Sequence, residues 1–293
     1  MPPVDTFDSD FHLTAVLAGL YVYPIKSCAG IALDASELDD TGLAWDRAWM
    51  VVTPTGEFVT QRTLPRMALV RPQLRRYDMV LRAPGMLALH LPLESAESPR
   101  AVRVWRDTVQ AWDMGDLAAQ WFSDFLGQPL RLVRADPERP RMASTDWTGG
   151  LAAPYLFADG YPLLVASQAS LDGLNQRLRR AGHAPVGMDR FRPNIVLSGL
   201  EAHDEDRLEM LHIGPPENEV RLQPVKPCVR CPVPNIDPAT ALSDPAVGDT
   251  LQTYRADARL GGGVTFGMNA ILHAGAGQVL RVGQPVSADY RFD

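Results

Sequence analysis

The side chains best suited to chemistry in this sequence fall in Lys226-Pro227-Cys228-Val229-Arg230-Cys231-Pro232-Val233-Pro234-Asn235-Ile236-Asp237-Pro238. Two of the three cysteines, Cys228 and Cys231, bracket Val229 and Arg230. Four prolines stiffen the stretch and keep it from being an ordinary helix. A rigid, irregular, thiol-bearing loop suits the fixed presentation of a sulfur ligand better than it suits a core. The CxxC spacing opens three readings. Structural zinc needs four nitrogen or sulfur ligands, and the remaining candidates are Cys28 and six scattered histidines, with no second paired cluster. Thioredoxin-like dithiol chemistry needs a helix opening at the motif, whereas Pro234 and Pro238 break one. From the spacing alone, two ordinary thiols are the plainest reading. Arg230 shifts that balance, because a guanidinium beside a thiol favours the thiolate, the form that binds soft or high-valent metals.

Cationic partners for such a thiolate occur in both halves of the chain. Pro24-Ile25-Lys26-Ser27-Cys28-Ala29-Gly30 follows a strand and reads either as a phosphate-holding turn, with a lysine, a hydroxyl and open backbone N–H groups, or as a solvated turn with a small buried thiol. Asp46-Arg47 precedes one strand and Gln61-Arg62 ends the next. Arginines at strand ends converge on a barrel rim or serve as edge charges that discourage aggregation. Arg190-Phe191-Arg192-Pro193-Asn194 places two arginines and an amide before a buried strand, either to grip an oxyanion or as a solvated connector. Asp159-Gly160-Tyr161 has the same ambiguity. No Walker A sequence, no GxGxxG opening a helix after a strand and no GxSxG elbow occurs, so nucleotide binding and α/β-hydrolase chemistry gain no support.

The elements that must position these groups are mostly strands. The segments 13–23, 48–53, 57–61, 76–82, 87–91, 101–105, 108–112 and 130–134 read as strands, with a hairpin around Pro54-Thr55-Gly56. An amphipathic helix is predicted over 115–126, stopped by Gly127, and residues 135–155 read as a long loop between halves. Strand 161–166 leads through Ser167 as N-cap into a helix ending near Arg180. Strands are then predicted at 195–197, 208–213, 219–225, 251–255, 265–272 and 279–282. The fold class expected is α+β, mostly β, with domains at 13–134 and 156–288 joined by 135–155.

The chain of 293 residues carries a formal charge of −7 and 46% hydrophobic residues, which fits a soluble globular protein and excludes the basic excess usual in nucleic-acid binders. An odd cysteine count in so long a chain argues for reduced thiols in the cytoplasm rather than a disulfide framework. Residues 1–12 are polar, read as a frayed end and lack the basic n-region of a signal peptide. No apolar run is long enough for a membrane span.

The order YPIKSC, DRAW with a following VTQR, SQASLDGLN, DRFRPNIV, CVRCPVPNIDPAT, FGMNAIL and a VGQPV ending resembles the MOSC proteins, named for the molybdenum cofactor sulfurase C-terminal domain. It is most similar to the subgroup with an N-terminal MOSC barrel domain, the bacterial YcbX-like proteins and the mitochondrial amidoxime-reducing component. The resemblance runs from Leu13 to Val286 and implies an N-terminal barrel-like region, then a MOSC β-barrel with a few flanking helices. It implies a molybdenum cofactor (Mo-molybdopterin) and reduction of small N-hydroxylated or N-oxygenated substrates. Cys231 matches the cysteine that coordinates molybdenum. Lys26, Ser27, Arg47 and Arg192 match cofactor contacts, with Asp159, Asn194 and Arg230 as site neighbours. Cys28 and Cys228 sit at family cysteine positions without a metal role. The family label of pyridoxal phosphate binding attaches to no residue here. Neither the anchor of membrane-bound members nor the ferredoxin-like domain of some bacterial members is found, which implies a separate electron donor, ferredoxin-like or cytochrome b5-like. The alternative is a non-redox carrier of cofactor or sulfur. Pro-Val-Pro-Asn follows Cys231 where the mitochondrial form has a Thr-rich run, so the substrate does not transfer.

Overall fold

A computed structural model describes residues 13–95 and 97–291, and the frayed end expected over 1–12 lies outside them. The architecture is mostly β with three α-helices among the described residues. Seven strands close into a barrel: Leu163–Ser167, Ile195–Ser198, Leu13–Val22, Pro285–Tyr290, Leu208–Ile213, Val220–Val229 and Gly263–Ala274, which pairs back onto the first. All neighbours are antiparallel except Leu163–Ser167 with Ile195–Ser198. That parallel pair needs a crossover, and helix α2 (Gln168–Arg180) supplies it. Its start follows from Ser167, whose hydroxyl accepts from the Ser170 N–H at 3.1 Å, as an N-cap should.

Alternation along Leu13–Val22 buries Ala15 and Leu17 and exposes Val16, so one face fills the barrel with Leu20, Val165, Leu197 and Leu222. This strand comes first in the chain yet sits between two strands of the second half. The polypeptide then leaves the barrel at Pro24 to build a four-stranded sheet, in the order Trp49–Val52, Arg131–Ala135, Asp107–Asp113, Ser98–Val104. Helix α1 (Asp116–Leu126) lays Ala118, Trp121, Phe122 and Phe125 on the apolar core there. Gly127 ends it in the left-handed region at φ 74°, its N–H bonded to the Ser123 carbonyl at 2.8 Å. A three-stranded meander, Arg71–Leu74, Asp78–Arg82 and Leu89–Pro92, closes the other side.

Several expectations need correction. Residues 251–255 are not a strand. Helix α3 (Ala246–Gln252) covers their start, because Val247 and Leu251 fall one turn apart and pack on the α2 cluster. Residues 57–61 make only isolated bridges, Phe58 to Val52 and Glu57 to Arg103, before turning away. The segment 135–155 contains two short paired strands, Arg141–Met142 and Pro154–Tyr155. Cys228 lies in the strand Val220–Val229 rather than in the loop. Pro224 and Pro227 are tolerated because the ladder shifts register at both places.

Candidate active site

The barrel mouth and the turn after the first strand enclose one cleft. Lys26, Ser27, Arg47, Asp159, Arg192, Asn194, Arg230 and Cys231 all line it. These eight candidates therefore meet at one place, although Lys26 and Cys231 stand over 200 positions apart, whereas Cys28, Asp46 and Arg190 do not line it.

Lys26 enters from the turn after Pro24, held by its N–H to the Trp49 carbonyl at 2.8 Å. Its side chain is buried and its ammonium donates to the Phe157 carbonyl at 2.8 Å and to Asp159 Oδ1. Burial lowers its pKa, and the Asp159 charge opposes that. Asp159 itself is 71% exposed along its side chain. Its other partner is the Trp105 indole N–H at 3.1 Å. Desolvation works against its charge, but Lys26, Trp105 and Arg47 outweigh it and hold the carboxyl well below the usual carboxylate range. Arg141 pins this loop by donating to the Ala158 carbonyl at 2.9 Å while gripping Asp107 with two nitrogens.

Arg47 and Arg192 come from opposite halves and stack on the Tyr23 ring, 4.3 and 4.2 Å from its centroid. Arg47 donates to buried Asp46, to Asn194 Oδ1 at 3.0 Å and to the Arg192 carbonyl at 3.1 Å. Arg192 donates to the Cys28 carbonyl at 2.6 Å. Burial and the nearby charge of Arg47 pull the Arg192 pKa down to about 10. Asn194 is a buried clasp: Oδ1 also accepts from the Leu164 N–H at 3.1 Å, and Nδ2 donates to the Tyr21 carbonyl at 3.2 Å. Three cleft residues hold left-handed backbone, Ser27 at φ 68°, Arg47 at 48° and Arg192 at 57°. Each such conformation costs about 1–3 kcal/mol and persists only where surroundings over-determine it.

The two cysteines of the CxxC part ways. Arg230 Nη1 donates to Cys228 Sγ at 3.0 Å and Nη2 to the Phe191 carbonyl at 2.9 Å. The guanidinium expected beside Cys231 thus contacts the other sulfur. Cys231 is a half-buried free thiol on the cleft wall. Cys28 is fully buried, and burial pushes its thiol up to about 12, which leaves it inert. Among the described residues no three His, Cys, Asp or Glu side chains gather as a metal-ligand set.

Residues 14–129 match the MOSC N-terminal beta barrel domain and residues 153–287 the MOSC domain. The chain belongs to the MOSC family. Among its relatives, mitochondrial amidoxime reducing component 2 of Bos taurus is 37% identical over 246 residues, 80% of this chain and 71% of that protein. Mitochondrial amidoxime-reducing component 1 of Homo sapiens is 34% identical over 251 residues, 82% of this chain and 72% of that protein. Molybdenum cofactor sulfurase of Homo sapiens is 31% identical over 278 residues, 88% of this chain but only 30% of that protein.

Each matched segment of this MOSC protein supplies part of the cleft: Lys26, Ser27 and Arg47 from the first, and Asp159, Arg192, Asn194, Arg230 and Cys231 from the second. Two residues with a place here escaped the sequence reading. Tyr23 looks like the end of a hydrophobic strand, and the Pro24 behind it is the only hint that its ring leaves the sheet. Trp105 sits in a tight hairpin turn at φ 56°, and no sequence signal marks its place. No helix of the described residues is long and apolar enough to cross a membrane. The relatives' names carry no pointer to pyridoxal phosphate.

Proposed function

We propose that this MOSC protein holds a molybdenum cofactor in the cleft and reduces small N-hydroxylated or related N-oxygenated compounds with electrons from a separate protein, in the cytoplasm. One observation carries the reading: a free thiol, Cys231, shares a single cleft with Lys26, Arg47, Arg192 and Arg230 drawn from both matched segments. The donor set fits an anionic pterin. Five cations, Lys26, Arg47, Arg62, Arg192 and Arg230, line a cleft whose one carboxylate among the described residues, Asp159, is already committed to Lys26. Arg230 Nε is buried without a partner among the described residues, a donor still to be satisfied. Names borne by relatives, amidoxime-reducing component and molybdenum cofactor sulfurase, agree with this chemistry.

When bound, the cofactor supplies the metal redox chemistry, and the protein supplies ligation, orientation and charge compensation. Cys231 offers the thiolate that holds the metal. Lys26, Arg47 and Arg192 neutralise the phosphate end, with Ser27 adding a hydroxyl and a strained turn. Asp159 keeps buried Lys26 protonated, and Asn194 fixes the Arg47 fork. Val233, on the loop after Cys231, lines the same cleft and borders the substrate position.

Metal and pterin analysis of wild type beside Cys231→Ala tests this, after expression in a host that makes the cofactor. Molybdenum and pterin co-purify with wild type, and Cys231→Ala loses benzamidoxime reduction. Wild type free of both, or an unchanged rate in Cys231→Ala, refutes the reading. The similarity to the sulfurase, with Cys231 free on the cleft wall, also motivates a non-redox carrier of cofactor or sulfur. A persulfide on Cys231 by mass spectrometry, without turnover by loaded protein, selects that alternative.

A further inference from the structure

Residues 62–82 contain six arginines and a single acidic residue, Asp78, in a chain whose formal charge is −7. Arg62, Arg66, Arg71, Arg75, Arg76 and Arg82 are all exposed, and none has a carboxylate partner among the described residues. Asp78 pairs instead with His90 at 2.8 Å. The strand register sets Arg71 directly opposite Arg82. Like charges in facing positions destabilise a sheet, and among the described residues the only relief is the bond from Arg82 to Gln73 Oε1 at 3.1 Å. Two large apolar side chains stand out on the same subdomain, Tyr77 at 70% and Leu87 at 89% exposed. An arginine cluster with an exposed tyrosine, over which Arg76 stacks at 5.0 Å, is the composition of a binding hot spot.

The cluster also leads to the cleft. Arg62 lines the cleft itself, and Arg71 lines an adjoining groove that shares Gln61 and Arg192 with it. We propose that this arginine-rich face docks an acidic one-electron carrier protein that feeds the cleft. The inference rests on the reductase reading above and adds where the donor binds and what charge it bears. Cleaving the N–O bond of an N-hydroxylated substrate consumes two electrons and two protons, forms an N–H bond and releases water. A one-electron carrier must therefore dock twice per turnover. Charge-steered contact delivers such rapid, reversible encounters, with on-rates raised about 10- to 1,000-fold at low salt.

The test uses loaded full-length protein, a plant-type [2Fe–2S] ferredoxin reduced by its NADPH-dependent reductase, and reduced benzyl viologen as a small control donor. With ferredoxin, benzamidoxime reduction falls steeply as salt rises from low to physiological strength, where the screening length shortens to about 8 Å. Arg75→Glu/Arg76→Glu raises the KM for ferredoxin about tenfold and flattens the salt dependence, the scale expected when steering is lost. Its viologen-driven rate stays within about twofold of wild type, because neither residue lines the cleft. Arg179→Glu/Arg180→Glu, at the exposed end of α2 and outside cleft and groove, leaves both donors unaffected. An unchanged ferredoxin KM in Arg75→Glu/Arg76→Glu, with viologen turnover intact, overturns the docking face alone. Loss of viologen turnover in wild type overturns the reductase reading and this inference with it. Binding of phosphatidylglycerol vesicles that requires Arg75 and Arg76, with an unaltered ferredoxin titration, overturns it in favour of an anionic lipid surface.

Discussion

Asn194→Ala probes the joint between the two halves of the cleft. The side chain is 1% exposed and makes three hydrogen bonds, to Arg47, to the Leu164 N–H and to the Tyr21 carbonyl. Alanine removes all three partners at once. The Leu164 N–H is buried, and a stranded buried donor costs about 1–3 kcal/mol. The Tyr21 carbonyl is half-buried and adds about 1 kcal/mol for its lost hydrogen bond. The expected loss is about 2–4 kcal/mol, within the roughly 5–15 kcal/mol by which domains are stable, so the variant folds. Equilibrium urea unfolding followed by tryptophan fluorescence measures it. Arg47 also loses an anchor 3.0 Å away while keeping Asp46 and the Arg192 carbonyl, so its fork loosens without leaving the cleft. Pterin content per protein should fall with it. Asn194→Asp keeps an acceptor for Arg47 and for Leu164 and retains more pterin than the alanine variant. A stability change below about 0.5 kcal/mol would refute the clasp, because one stranded donor alone exceeds it.

Two further outcomes follow from the same cleft. Asp159 is held below the ordinary carboxylate pKa of about 4, so its contribution is present above that value and lost as pH falls through the folded-state pKa. The stability gap between wild type and Asp159→Asn, about 1 kcal/mol because the carboxylate is 71% exposed, should therefore narrow on acidification below about pH 4 in acid-titrated thermal unfolding. A gap that widens in acid contradicts the assignment. Tyr23→Leu removes the ring under both Arg47 and Arg192, each contact worth about 0.5–2 kcal/mol, and should lower pterin retention, whereas Tyr23→Phe loses only the hydrogen bond to the Pro193 carbonyl and retains it. Equal pterin content in both variants would show that the ring does not position the arginines.

The chemistry was legible in residue type and order, and the geometry only in part. Lys26, Arg47, Arg192 and Cys231 are picked out by the order of their motifs in the resemblance to MOSC proteins, since a turn lysine, strand-end arginines and a CxxC thiol each also fit an ordinary surface or core reading. Tyr23 is not, since an aromatic ending a hydrophobic strand has the same signature whether it packs inward or lies under two guanidinium groups. Prolines at 224 and 227 argue against a strand by local rules, and only the facing strand, with its register shifts, shows how the ladder absorbs them. The place of Leu13–Val22 in the barrel was equally hidden. Its partners, Ile195–Ser198 and Pro285–Tyr290, lie far along the chain, and period-two alternation says that a strand has a buried face without saying which strands lie beside it. Residues 251–255 failed for a related reason, because a short apolar run bounded by turn residues fits the end of a helix as well as a strand.

The choice between one working thiolate and a cooperating pair turns on where Arg230 points. Both Cys228 and Cys231 line the cleft, and the 3.0 Å contact gives the guanidinium to Cys228, so among the hydrogen bonds described Arg230 does not act as an electrostatic aide to Cys231. Cys228 belongs to a barrel strand and Cys231 to the loop beyond it, so the two sulfurs answer to different constraints. The cations around them are arranged at a cost. Arg47 and Arg192 share one aromatic ring, the charge of Arg47 disfavours that of Arg192, and both hold left-handed backbone. Arg192, drawn down to about 10, keeps its charge at neutral pH only against burial and its neighbour. Asp46 pairs with Arg47, whereas among the described residues Arg192 contacts the Cys28 carbonyl and the Tyr23 ring. On the proposed reading, a phosphate or pterin anion would favour the charged form of Arg192. Because the arginines are drawn from both matched segments, that anion would bridge the two.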